Sequence, residues 1–183
     1  MNAYKAAGLV AGTLAVGYAV FWGAQKLKLI KISNSMPFSK RTKKIKGIVI
    51  HHTHTKSASQ TKRVLEAREL STNYEVDRDG IIHEYADPAQ WVAWATGANA
   101  NEHTAAIDVT HFGFTEEFTP KQMESLRSLV HYLAKRFNFP VVIAPDGKRG
   151  KWSDWEGKGY TVFRHRNFVN TGCPANLPME KLS

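Results

Sequence analysis

The 183-residue chain has one cysteine, Cys173, so no disulfide framework can staple it, and that sulfur acts as a thiol or a thiolate. It has no internal repeat and no low-complexity stretch, which excludes solenoid, propeller and fibrous architectures. Acidic residues are missing from one region. Residues 1–46 hold nine of the 25 Lys and Arg and none of the 16 Asp and Glu, so this segment carries the whole formal charge of +9. The remaining 137 residues balance 16 cations against 16 anions, and a body without clustered positive charge has no electrostatic case for binding nucleic acid. The composition, 43% hydrophobic and 22% charged, is that of a globular domain of ordinary size with a short extension.

Charge is also absent from residues 6–25, which are bracketed by Lys5 and Lys26. Twenty residues of helix span about 30 Å, the hydrocarbon thickness of a bilayer. Tyr18, Phe21 and Trp22 lie toward one end, where aromatic rings favour the interface. The expectation is a membrane-spanning or signal-anchor helix over residues 1–26 that places the protein at a membrane. A basic linker over 27–45 and a folded domain over 46–183 follow. Eight basic residues after the span would hold the domain on the cytoplasmic side by the positive-inside rule.

Within the body, Ile48-Val49-Ile50 reads as a buried strand, and residues 61–70 suit a short helix. Two short runs, 73–77 and 81–85, flank Arg78-Asp79-Gly80 and read as a hairpin. Residues 105–110 form a further strand candidate. Thr119-Pro120-Lys121-Gln122 carries the marks of a helix start, followed by Met123, Leu126, Leu129, Val130, Leu133 and Phe137 at helical spacing. Residues 140–145 read as a buried strand and 146–160 as a surface loop. Strand and helix alternate, which predicts an α/β fold with a sheet covered by helices.

His51-His52-Thr53 ends the first of these strands, and neighbouring strand side chains point to opposite faces, so only one of the two histidines can face a given site. His165 precedes Cys173 by eight residues. One strand-end histidine, His165 and Cys173 make three ligands of zinc-preferring type, the number a catalytic zinc uses while leaving a position for water. On spacing alone a structural histidine and a packed thiol fit as well.

Four stretches, in order, resemble the type 2 family of zinc-dependent N-acetylmuramoyl-L-alanine amidases, which shares its fold with peptidoglycan recognition proteins and many phage endolysins. They are IVIHHT at 48–53, STNYEVDRDG at 71–80, AWATGANANEHTAAIDV at 93–109 and RHRNFVNTGCP at 164–174. The resemblance covers residues 46–182. It implies a central mixed β-sheet flanked by helices, zinc held by His51, His165 and Cys173, and hydrolysis of the amide bond between N-acetylmuramic acid and L-alanine in bacterial peptidoglycan. It also implies a phage endolysin or virion-associated lytic enzyme. Asp108 falls where the family places its catalytic Glu, one methylene longer, and Thr171 where a Thr or Lys steadies the oxyanion. Trp94 and Asn99 match positions near the substrate cleft. Thr72 and Asn73 stand where some relatives carry a tyrosine and a histidine. A wall substrate would put the domain outside the cytoplasmic membrane, facing the periplasm or carried on a virion membrane, against the sign of the basic run. The exchange of Glu for Asp leaves a second reading, a peptidoglycan-binding module tethered to a membrane or virion that does not cleave.

Overall fold

The computed structural model describes residues 16–22, 25–97 and 99–183. In chain order these form strands β1 (Val16–Trp22), β2 (Gln25–Lys31), β3 (Phe38–Lys40) and β4 (Gly47–His52), helix α1 (Ala58–Ala67), strands β5 (Tyr74–Val76), β6 (Ile82–Glu84), β7 (Trp91–Ala93) and β8 (Thr104–Val109), helices α2 (Pro120–Arg136) and α3 (Trp152–Trp155), and strand β9 (Val162–Arg164). Seven strands make one mixed sheet in the order β1-β2-β6-β5-β8-β4-β9, and β3 and β7 make a separate antiparallel ribbon. The centre of the sheet is parallel, with β4 between β8 and β9 and β5 beside β8, while β5–β6 and β1–β2 are antiparallel.

Among the described residues the expected membrane helix is not formed, and the membrane-anchored placement that rested on it is not supported. No helix among the described residues is long and apolar enough to cross a membrane. Residues 16–22 and 25–31 pair as antiparallel strands, with Val16 opposite Lys31 and Trp22 opposite Gln25. Residues 1–15, the first part of the expected span, lie outside the described residues. The physical reason is in the composition. Val16, Tyr18, Val20, Phe21 and Trp22 are β-branched and aromatic residues that favour strands. From Lys26 onward lysine alternates with leucine at period two, and Leu27 and Leu29 are buried in the core. The stretch expected as a basic linker, 27–45, is built into the fold. It supplies most of β2 and all of β3, and Arg41 donates to the carbonyls of Pro88, Glu102 and Thr104 at 2.5, 2.6 and 2.9 Å.

Period two sorts the central strands into two faces. Ile48, Ile50, Tyr74, Val76, Ala105, Ile107 and Val109 point one way, into a core completed by Leu126, Leu129, Val130 and Leu133 of α2. The expected start of α2 is present as a full capping box, with the Thr119 hydroxyl accepting from Gln122 N and the Gln122 side chain accepting from Thr119 N. The expected hairpin is β5–β6. Its turn needs Gly80, which has a φ of +77° and no room for a Cβ, since one built there would meet Lys121 O at 2.8 Å.

Two expectations fail locally. Residues 140–145 contribute only a single bridge, Ile143 to Val162, and Val142 is exposed. Pro140 and Pro145 lack the N–H groups a ladder needs. The stretch 146–160 is more than a surface loop, because α3 turns Trp152 and Trp155 into a second apolar cluster with Val49, Ala144 and Phe163.

Candidate metal centre and active-site cleft

The other face of the same strands carries the polar residues. His51 of β4 and Asp108 of β8 are register partners on parallel strands, so their side chains emerge side by side, and Glu75 of β5 continues the row beside Asp108. All three are buried. His165 follows β9 in a short 3-10 turn, and Cys173 lies in the loop beyond it. One ligand atom from each of His51, His165 and Cys173 falls within 4.8 Å of the others. The rings of His51 and His165 are 4.3 Å apart between centroids.

The loop that brings the thiol in is held by Arg166. Its guanidinium pairs with both carboxylate oxygens of Asp146 at 2.8 Å and donates to the carbonyls of Gly172 and Ala175 at 3.1 and 2.9 Å. The Arg166 N–H donates to Cys173 O. This clamp holds the Asp146 carboxyl down at about 2. The backbone N–H of His52 donates to Cys173 Sγ at 3.3 Å, tying the thiol to the end of β4. Thr96 Oγ1 lies 3.3 Å from His51 Nε2 and steadies that ring.

The electrostatics fit a cation site. Burial, with His165 and His52 adjoining, holds His51 well below the ordinary imidazole range, and burial holds His165 down to about 4, so both are neutral ligand-type imidazoles at neutral pH. Burial pushes the Cys173 thiol up to about 12 and Asp108 up to about 8, the latter with help from the Glu75 carboxyl. Two neutral imidazoles and a thiol converging in a site that resists bare negative charge form a donor set that zinc fits, since the ion stabilises the thiolate that burial opposes.

These groups open into a cleft of about 280 Å³. Asp108 and Thr171 line it with His51, His165 and Cys173, and α1 supplies Val64 and Leu65, with Arg68 at its C-cap. Thr171 Oγ1 accepts from Cys173 N at 3.2 Å, which leaves its O–H proton to donate elsewhere. Trp94 and Asn99 do not line this cleft. Trp94 is exposed and donates from Nε1 to Ser39 Oγ at 2.7 Å, while Asn99 sits in a turn at a φ of +55°. Asn73, in the histidine slot, is consumed by structure, donating to the carbonyls of Ala86 and Trp91 and accepting from Ala106 N. Thr72, in the tyrosine slot, donates to the backbone carbonyls of Tyr74 and Ala106.

The family model for N-acetylmuramoyl-L-alanine amidases matches residues 41–176. The chain belongs to this amidase family. Solved structures show the same fold. The N-acetylmuramoyl-L-alanine amidase LysC from Clostridium intestinale URNW is 23% identical with a TM-score of 0.64, over 85% of this chain and 94% of that one. The Ph2119 endolysin from the Thermus scotoductus MAT2119 bacteriophage is 15% identical with a TM-score of 0.56, over 79% and 86%. The Drosophila peptidoglycan recognition protein SA is 14% identical with a TM-score of 0.54, over 77% and 79%. No curated protein matches the chain in sequence at a significant level.

Glu75 is the site-face residue that sequence reasoning missed. It is fully buried, with Tyr85 Oη donating to Oε2 at 2.7 Å and Thr110 Oγ1 donating to Oε1 at 2.6 Å. The signal was available: Glu75 is a carboxylate between Tyr74 and Val76 in a run that reads as one strand of the hairpin. The lining contributed by α1 had no such signal, because it arises from tertiary packing. His111 stacks on Phe118 and bonds the Glu116 carbonyl.

Proposed function

We propose that this amidase cleaves the bond between N-acetylmuramic acid and L-alanine in peptidoglycan with zinc held by His51, His165 and Cys173. The observation that carries the reading is the convergence of those three side chains, with ligand atoms within 4.8 Å of one another, at the edge of a cleft that also contains Asp108. When bound, zinc supplies Lewis acidity toward the scissile carbonyl and makes a water molecule acidic near neutral pH. Asp108 takes the proton of the attacking water and returns it to the leaving alanine nitrogen. Its shorter side chain is offset by its place beside His51 in the sheet register, which starts the carboxylate next to the ligand set. The Thr171 hydroxyl, its oxygen already accepting from Cys173 N, donates to the developing oxyanion. Arg166 and Asp146 keep Thr171 and Cys173 in place through the 172–175 backbone.

The test is release of new L-alanine amino groups from purified peptidoglycan, with and without a chelator, alongside metal analysis of the protein as purified. Activity that follows one zinc per chain and returns on its addition supports the reading. Binding to peptidoglycan with no amine released, zinc present, would assign the chain to the binding-module class instead.

A further inference from the structure

The β3–β7 ribbon has two sides, and neither supplies a residue to the metal cleft. Register pairs Phe38 with Ala93 and Lys40 with Trp91, so Phe38 and Trp91 share one face, while Ser39 and Trp94, bonded to each other, take the other. Ala95 and Ser71, which accepts from Trp94 N, line the metal cleft. Phe38 and Trp91 line a different cavity of about 600 Å³, walled also by Ile32 and Met36. That volume lies within the range of small-ligand sites, about 300–1,000 Å³.

Glu84, the last residue of β6, lines this cavity at 7% exposure. Its carboxylate makes no hydrogen bond or ion pair with a described residue. The nearest guanidinium, Arg136, is committed to Asp87, with Nη2 2.8 Å from Oδ2. Lys31, Glu84's register partner on β2, is exposed and lines the same cavity. A buried carboxylate without a cation is unfavourable, and burial together with Asp87 indeed pushes Glu84 up to about 7.

We propose that this cavity is a binding site for an organic ammonium, a cation on an apolar body, with Glu84 as its counter-ion and Trp91 and Phe38 as its aromatic wall. The chemistry excludes the other classes. An anion would meet Glu84 and Asp87. A bare divalent ion needs several hard oxygen donors, and the side-chain oxygens of Asn34 and Asp87 in the lining are already committed, to Met36 N and to Ala89 N and Arg136. A neutral apolar ligand would desolvate Glu84 further and give it nothing. An ammonium answers both features, because a desolvated carboxylate and an aromatic face each attract it. The site lies apart from the metal cleft, so it stands or falls independently of the hydrolytic reading.

The experiment titrates the full chain at about pH 8, where Glu84 is ionised, with choline, with n-butylammonium and with 3,3-dimethyl-1-butanol, the uncharged isostere of choline. Amide and indole chemical shifts at residues 84–91 are followed. The expected result is saturable shifts with both cations and binding of the isostere weaker by about tenfold or more. Tighter binding of butylammonium marks the natural ligand as a primary amine, and tighter binding of choline as a quaternary one. Glu84→Gln should lower cation affinity about tenfold without changing that of the isostere. Trp91→Ala, at an exposed indole that the fold does not need, should weaken both cations. Equal binding of choline and its isostere, or no shift at residues 84–91 in a protein with a native spectrum, overturns the proposal.

Discussion

Strands β4, β8 and β5 offer Ile48, Ile50, Ile107 and Tyr74 to α2 on one side and His51, Asp108 and Glu75 to α1 and the cleft on the other, where Val49 packs on α3. Burial is equally deep on both sides, and the chemistry is opposite. The α2 side is held by apolar area removed from water, which needs no partner geometry. The cleft side desolvates carboxyl, imidazole and thiol groups, each of which needs a partner. Glu75 has two hydroxyl donors. Asp108 and Cys173 are held toward their neutral forms by burial, and a metal ion bound there would offset that penalty. Stability and chemistry are thus separated by side-chain parity along the same strands, one residue apart.

The sharpest way to break this separation is to remove a ligand. Cys173→Ser should bring amine release from peptidoglycan to background and abolish stoichiometric zinc, while the metal-free protein melts close to the metal-free parent. A metal-free variant that is much less stable than the metal-free parent would show the thiol working in the fold as well as in the site. Next in size is Asp108→Asn, expected to lower kcat about 10²–10⁴-fold with zinc retained. Its melting temperature should hold or rise, since a buried carboxyl pushed up to about 8 is replaced by a neutral isostere. A variant that keeps full activity would move the general base to another group.

On the α2 side the effects should invert. Ile107, adjacent to Asp108 and fully buried, should cost about 2–5 kcal/mol when changed to Ala, a cavity effect. For a chain of this size that lowers the melting temperature by roughly 2–4 °C per kcal/mol. Specific activity per folded, zinc-loaded molecule should stay the same. A tenfold drop in kcat with zinc retained would mean that the two faces are coupled through the strand.

Legibility in the sequence follows the same division. The α2 side was readable from periodicity and caps, because Thr119, Pro120 and Gln122 mark the start of α2 and its leucines recur at 3.6 residues. That His51, His165 and Cys173 come together was legible only through the resemblance, because His51 and Cys173 are 122 positions apart and nothing local says they meet. The N-terminal segment misled because an uncharged length of twenty residues was weighed above the strand-favouring makeup of residues 16–22 and the Lys/Leu alternation after them. Residues 140–145 misled for a related reason. Val141, Val142 and Ile143 have strand composition, but the flanking prolines and an exposed Val142 leave a single bridge.

Glu84 breaks the parity rule, and its effect is the smallest and the most direct to measure. Tyr74 pairs with Glu84 and Val76 with Ile82, which places a carboxyl on the apolar side of the sheet. Folding raises its pKa from 4.5 to about 7. Below pH 4.5 both folded and unfolded chains hold the proton, and Glu84 adds no pH dependence. Between 4.5 and 7 the unfolded chain ionises while the folded one keeps its proton, so stability falls as pH rises through this window. Above 7 both are ionised and the loss is complete. Urea unfolding from about pH 4 to pH 8 should therefore show the parent losing stability relative to Glu84→Gln across that interval and then running parallel to it. Parallel curves throughout would mean that Glu84 already has a cation when folded, and the Lys31→Met variant would then show whether that cation is Lys31.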